Sequence, residues 1–185
     1  MANKSVKTKM QDAAKSRGQG IARLRTFGDP VLRQRARSVT EFDERLQSLV
    51  RIMAVTMEEE DGVGLAANQI GVLSRIIVWK LPEPEEELNV FVNPVILKAS
   101  ESTVCASEGC LSVPGVTVDV PRAEEVVVEA QDLSGCFFTV RLSGLAARIV
   151  QHEIDHLDGR LILDRTTPEE RLRALRELRE RTLNL

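Results

Sequence analysis

The stretch SGLAARIVQHEIDHLDG, residues 143–159, constrains the fold more than any other part of the chain. It carries His152 and His156, and the sequence contains no further histidine. Residues four apart on an α-helix share a face, so the two rings can aim at one point, with Glu153 on the next position round. Leu145, Ile149, Val150 and Leu157 are the apolar positions of this helix, and Gly159 stands where a left-handed residue ends one. Ala146, Ile149 and Val150 form an apolar turn just before the pair. That turn argues against two solvated surface histidines and for a buried helix around which the rest of the chain is built. H-E-x-x-H on one helical face is the arrangement by which zinc hydrolases hold their metal.

Other segments supply the layers around it. From Thr40, residues Phe42, Leu46, Leu49, Val50, Met53 and Met57 recur at helical spacing, and Thr40 with Asp43 resembles a capping box. Short β-rich runs follow at 75–79, 89–92, 116–120, 124–130 and 136–142, the last two joined by a hairpin turn at 132–135. The acidic, proline-containing stretch 82–87 reads as a solvated loop. At the end, Thr167 is placed as an N-cap, Pro168 at the first helical position and Glu170 to close a capping box. Leu172, Leu175 and Leu178 form the stripe of that helix, which would dock on the body. The expected class is α+β: a single compact domain with antiparallel β-sheets packed around a central metal-binding helix, and a C-terminal helix.

At 185 residues, 43% hydrophobic and 29% charged, the chain suffices for one core. The first 25 residues carry seven Lys or Arg against one Asp and no Glu. We therefore expect a basic flexible arm at 1–20 and one domain over 21–185. A net charge of −3 gives no basis for specific nucleic-acid binding or for an anionic membrane surface. No stretch approaches the roughly 18 consecutive apolar residues of a membrane span, and the start lacks the apolar core of a secretory signal. Three cysteines, Cys105, Cys110 and Cys136, leave at least one thiol unpaired, which suits a reducing, cytoplasmic compartment.

A hydrolytic metal site takes three protein ligands and leaves a position for water. With two histidines available, the third ligand must be Cys, Asp or Glu. Cys110 is the best candidate, lying in the Gly- and Pro-bounded EGCLSVPG (108–115), whereas Cys105 and Cys136 sit in apolar strand-like runs that suit core cysteines. Alone, Cys110 reads as core filler or a free nucleophile. Beside a histidine pair lacking its third ligand, ligation is the stronger reading. The stretch DGVGLAANQIG (61–71) does not have the spacing of a phosphate loop. Its glycines let backbone lie along an extended peptide, and Gln69 offers the amide donor an oxyanion needs.

Taken together, G-x-G-x-A-A-x-Q at Gly62 to Gln69, E-G-C-L-S at Glu108 to Ser112 and H-E-x-D-H at His152 to His156 resemble the peptide deformylases. TFGDPVLRQRA near the start and VNP at 92–94 resemble that family too, so the likeness runs from about residue 24 to about 165. The resemblance implies removal of the formyl group from the N-terminal formyl-methionine of newly synthesised polypeptides, with release of formate. It implies one divalent metal ion, ferrous iron (Fe2+) physiologically, with zinc, nickel or cobalt able to substitute. Carried over to this sequence, Cys110, His152 and His156 match the metal ligands and Glu153 the general acid/base. Gln69 and the Leu111 backbone N–H match the oxyanion donors, and Gly64 the backbone that pairs with substrate. Val63, Ile149 and His152 would wall the methionine pocket. Some members carry arginine where Thr117 stands here, which opens the question of preference beyond the first residue. The partners implied are N-formyl-Met nascent polypeptides, with a transient ribosome contact open to the basic arm.

Two other readings of the same helix remain. A metallopeptidase would usually add a third histidine, which is absent, or a downstream glutamate. A non-catalytic structural metal site would need a closing ligand such as Cys105 or Cys136, and would leave Glu153 and Gln69 unexplained. Glu108 and Arg122 are candidates for a buried ion pair that braces the Cys110 segment.

Overall fold

The computed structural model describes residues 21–83 and 86–183; the basic segment 1–20 lies outside the described residues. The first long helix, α1 (Glu44–Glu59), starts later than Thr40 suggests. Asp43 is its N-cap, its carboxylate accepting from the N–H groups of Arg45 and Leu46 at 3.0 and 3.1 Å. A carboxylate serves better there because it also meets the positive end of the helix dipole. Leu46, Val50, Met53 and Met57 form its buried stripe, while Phe42 packs on the same cluster from ahead of the helix.

Five strands form one antiparallel sheet: β1 (Gly64–Ala66), β2 (Ile76–Trp79), β3 (Asn89–Ala99), β6 (Glu125–Gln131) and β7 (Phe137–Ser143), side by side in the order β1-β2-β3-β6-β7. A two-stranded sheet pairs β4 (Thr103–Gly109) with β5 (Thr117–Ala123). The run at β2 is apolar throughout because both its faces are covered. Ile76 and Val78 pack with α1, whereas Ile77 and Trp79 face the other side. β3 runs on past the expected 89–92 because Pro94 sits in a bulge rather than ending the strand. Its register with β6 shifts between Val92 and Val95, and Asn93 takes φ 53°. Asn93 is fixed there by hydrogen bonds to both the N–H and the C=O of Val39, at 2.8 and 2.9 Å.

The histidine helix, α2 (Gly144–Leu157), is central as expected, packing on β1 and β2, on β6 and β7, and on β5 of the small sheet. Ala147, Ile149, Val150, Ile154 and Leu157 bury into the cluster made with Ile77, Trp79, Phe91, Val126 and Val128. Gly159, at φ 73°, lets the chain leave the helix beside the backbone of Arg33. The C-terminal helix, α3 (Pro168–Leu183), is capped by Thr167, whose hydroxyl accepts from the Glu170 N–H at 3.2 Å. Its stripe is rotated from the expected one. Ala174 is fully buried with Leu175 and Leu178 beside it, and Leu172 is 51% exposed. The small Ala174 side chain allows the helix to lie close on Val116, Val118 and Val120.

The three cysteines are free, and the core placement expected of Cys105 and Cys136 is wrong: both are exposed. Only one residue of β4 is buried, Glu108, so this strand carries no apolar alternation and Cys105 belongs to its solvent side. Cys136 follows the 132–135 turn, whose Asp132 carboxylate accepts from the N–H groups of Ser134 and Cys136 at 2.8 and 3.0 Å. Among the described residues, no helix is long and apolar enough to cross a membrane.

Candidate active site

α2 turns His152 and His156 toward the segment that follows β4, and this brings Cys110 to them. The nitrogen and sulfur donors of Cys110, His152 and His156 all lie within 4.8 Å of one another. Cys110 Sγ is 3.2 Å from His156 Nε2, which is 3.2 Å from His152 Nε2. Neither Cys105 nor Cys136 joins this group, and among the described residues it has no fourth Cys, His, Asp or Glu member of the kind a closed structural site needs.

The cluster suits a divalent cation. Burial disfavours charge on His152, yet its hydrogen bonds to Cys110 and Glu108 hold its pKa well above the usual value. Burial, then the charges of His152 and Arg122, push His156 well below it. Three electron-pair donors facing one point are what a metal ion binds in place of protons. One sulfur with two imidazoles is also a donor set suited to zinc and to the later first-row divalent metals.

The orientation of His152 comes from an ionic frame behind it. Its Nδ1 lies 3.0 Å from Glu108 Oε2, the carboxylate–imidazole contact by which metal-binding histidines are commonly fixed. Glu108 is gripped by Arg122, Nε to Oε1 and Nη2 to Oε2 at 2.9 Å each, and by Arg148 at 2.7 Å. Arg122 also bonds Asp155, which Arg165 holds from the far side. Burial alone would raise the Glu108 pKa, but hydrogen bonds from His152 and Arg122 outweigh it and bring the group down to about 2. The expected Glu108–Arg122 pair is therefore present and buried; the parts played by Arg148, Asp155 and Arg165 were not read from the sequence.

Glu153 is 4% exposed, and its Oε2 has no hydrogen-bond partner among the described residues. Burial pushes its pKa up to about 7, against the pull of the His152 and Arg122 charges. A Cβ at residue 64 would collide with this carboxylate, so glycine at 64 is what leaves Glu153 its place. Val63, Gly64, Gln69, Cys110, Leu111, Ile149, His152 and Glu153 all line one cleft of about 540 Å³, with His156 buried behind it. Gln69 accepts from the Ala66 N–H at 2.8 Å and donates to Ser112 Oγ at 3.1 Å, which leaves its second amide hydrogen free. Ser112, unremarked in the sequence except as part of EGCLS, thus fixes Gln69.

A profile of the family described as polypeptide deformylase matches residues 21–172. The peptide deformylase of Dictyoglomus turgidum is 47% identical over 152 residues, 82% of this chain and 97% of the relative. A crystal structure of a peptide deformylase from Legionella pneumophila superposes with a TM-score of 0.83 at 42% identity, covering 88% of this chain and 96% of that one. That from Thermotoga maritima gives 0.77 at 43% identity, covering 81% and 100%. The likeness thus spans the sheets, α2 and the cleft alike, and the chain belongs to the polypeptide deformylase family.

Proposed function

We propose that this protein hydrolyses the formyl group from N-formyl-methionyl nascent polypeptides, releasing formate, with a divalent metal ion held by Cys110, His152 and His156. The observation that carries this reading is the convergence of those three donors beside a buried, unpartnered Glu153 carboxylate oxygen. Ferrous iron is the physiological ion in this reading, with zinc, nickel or cobalt able to take its place. An ion bound there supplies Lewis acidity, acidifying water and drawing electron density from a carbonyl oxygen.

The chain's own residues do the rest. Glu153 takes a proton from water, which adds to the formyl carbon. The negative charge growing on the formyl oxygen is met by the free amide hydrogen of Gln69 and by the Leu111 N–H. Such a donor contributes about 3 kcal/mol to the transition state. Glu153 then delivers its proton to the departing nitrogen as the C–N bond breaks, leaving formate and a free N-terminal amine. A carboxyl near pKa 7 is matched to both halves of this shuttle.

β1 is an edge strand paired only with β2, so the backbone around Gly64 can pair with an extended peptide. Val63 and Ile149, which both line the cleft, provide apolar walls for the methionine side chain. In this reading the hydrolase domain is assigned to 21–185, and the positive charge of 1–20 is available for ribosome contact in the cytoplasm. The deciding experiment measures metal content together with formate release from a formyl-Met peptide. One metal per chain and stoichiometric formate are expected. A metal-loaded protein that instead cleaves internal peptide bonds would replace this reading with the metallopeptidase one.

A further inference from the structure

At the outer lip of the cleft, Pro114 and Gly115 form one side. Gly115 has φ 72°, and a Cβ there would stand 2.6 Å from Nη1 and 2.8 Å from Cζ of Arg181. The guanidinium, from the last turn of α3, therefore lies against a residue that lines the cleft, in the space a side chain at 115 would take. Arg181 has no hydrogen bond or ion pair among the described residues. Arg173, earlier on the same helix, is fully engaged: it donates to the Thr117 carbonyl at 2.9 Å and pairs with Glu170 and Glu177. With Ala174 buried, α3 is clamped by its middle and presents a free cation at its end. The same cleft is also lined by two exposed acids, Glu60 and Asp61.

An extended peptide points successive side chains to opposite sides. Beyond the methionine, successive side chains would therefore differ in whether they meet the cation beside Gly115, the acids at 60–61 or solvent. Resting on the deformylase reading above, we infer that Arg181 is a specificity-determining residue for the part of the substrate downstream of methionine. It favours peptides that place a carboxylate against the Gly115 lip. It lies away from the reacting atoms, so its effect falls on KM rather than kcat. An exposed charge pair of this kind corresponds to about a two- to fivefold change, fading as salt screens it.

The test uses the full-length, metal-loaded protein and formyl-Met tetrapeptides carrying Asp, Asn or Lys at each of the three positions after methionine. Each rate is taken as a ratio to the Asn peptide, so that any general change in a variant cancels. In the wild type, Asp exceeds Asn by about two- to fivefold at one position through KM, Lys falls below it, and both differences shrink at high salt. Arg181→Ala removes the discrimination and Arg181→Glu inverts it, with melting temperature followed to confirm folding. Indifference of the wild type to charge at all three positions overturns the inference. So does a preference that persists in Arg181→Ala, since another group must then set it. If the neutral peptides themselves yield no formate, the deformylase reading fails, and this inference with it.

Discussion

α2 separates two cavities of different character. On the face that carries Ile149, His152 and Glu153, a cleft of about 540 Å³ is lined by Cys110, His152 and Glu153, whose Oε2 has no partner among the described residues. On the face that carries Gln151, Ile154, Asp155 and Asp158 lies a larger one of about 770 Å³, richer in charge. There the buried charges neutralise one another. Arg75 meets Asp158 at 2.8 Å and the Pro94 carbonyl at 3.1 Å, and Asp155 is shared between Arg122 and Arg165. Buried polar groups are nearly always paired, so size and charge mark a site less well than groups held unpaired against that rule. The two faces are nonetheless joined, because Arg122 reaches Asp155 with one nitrogen and Glu108 with the others.

The comparison breaks most sharply at Glu153. Glu153→Gln should keep the metal and lower kcat/KM for formate release roughly a thousandfold, as expected for loss of a proton shuttle. Retention of a tenth of the activity would show that the orphan carboxylate is structural after all. Next comes Cys110→Ser, which should weaken metal binding by more than the roughly 10–100-fold typical of losing a supporting residue, or exchange the metal preferred. Metal analysis after dialysis against a chelator reads this directly.

Glu108→Gln tests the frame that joins the faces. The depressed pKa of Glu108 means its ionised form contributes stability that is fully present above the ordinary carboxyl value of 4.5 and is lost as pH falls toward about 2. The variant should be less stable by about 3 kcal/mol at pH 7. In thermal melts that gap should narrow steadily below the ordinary carboxyl range as the wild type takes up its proton. A gap independent of pH would mean that Glu108 is not held ionised.

On the far face, Arg75→Met should cost about 1–2 kcal/mol of stability, from a lost charged hydrogen bond, and leave kcat/KM within about twofold. A large kinetic effect would make the back cavity part of the catalytic unit. Smallest of all, Cys105→Ser and Cys136→Ser should change stability by less than about 0.5 kcal/mol, because both side chains are exposed.

The helices were legible where a local period writes them. The α2 stripe, its histidine pair and its Gly159 stop all lie within one short stretch, as do the Thr167, Pro168 and Glu170 signals that open α3. Cys110 could be named because a histidine pair without a third ligand asks for one nearby in space, and the motif likeness pointed to the same residue. β4 was not legible. Its single buried side chain is a charged one, which no hydrophobic alternation betrays. The continuation of β3 through Pro94 was hidden for a related reason: the bulge depends on Asn93 meeting Val39, 54 residues away.

By itself, then, the sequence determined the buried histidine helix, the α+β class and the set of residues able to hold a cation, since these follow from spacing along one chain. Tertiary structure alone decided which polar groups are satisfied. Ser112 fixing Gln69, Arg148 gripping Glu108, Arg165 holding Asp155 and Arg181 resting on Gly115 are meetings of segments distant in the chain. A hydrogen bond or ion pair acts over about 3 Å. No propensity or period along a chain reports which residues folding will bring that close.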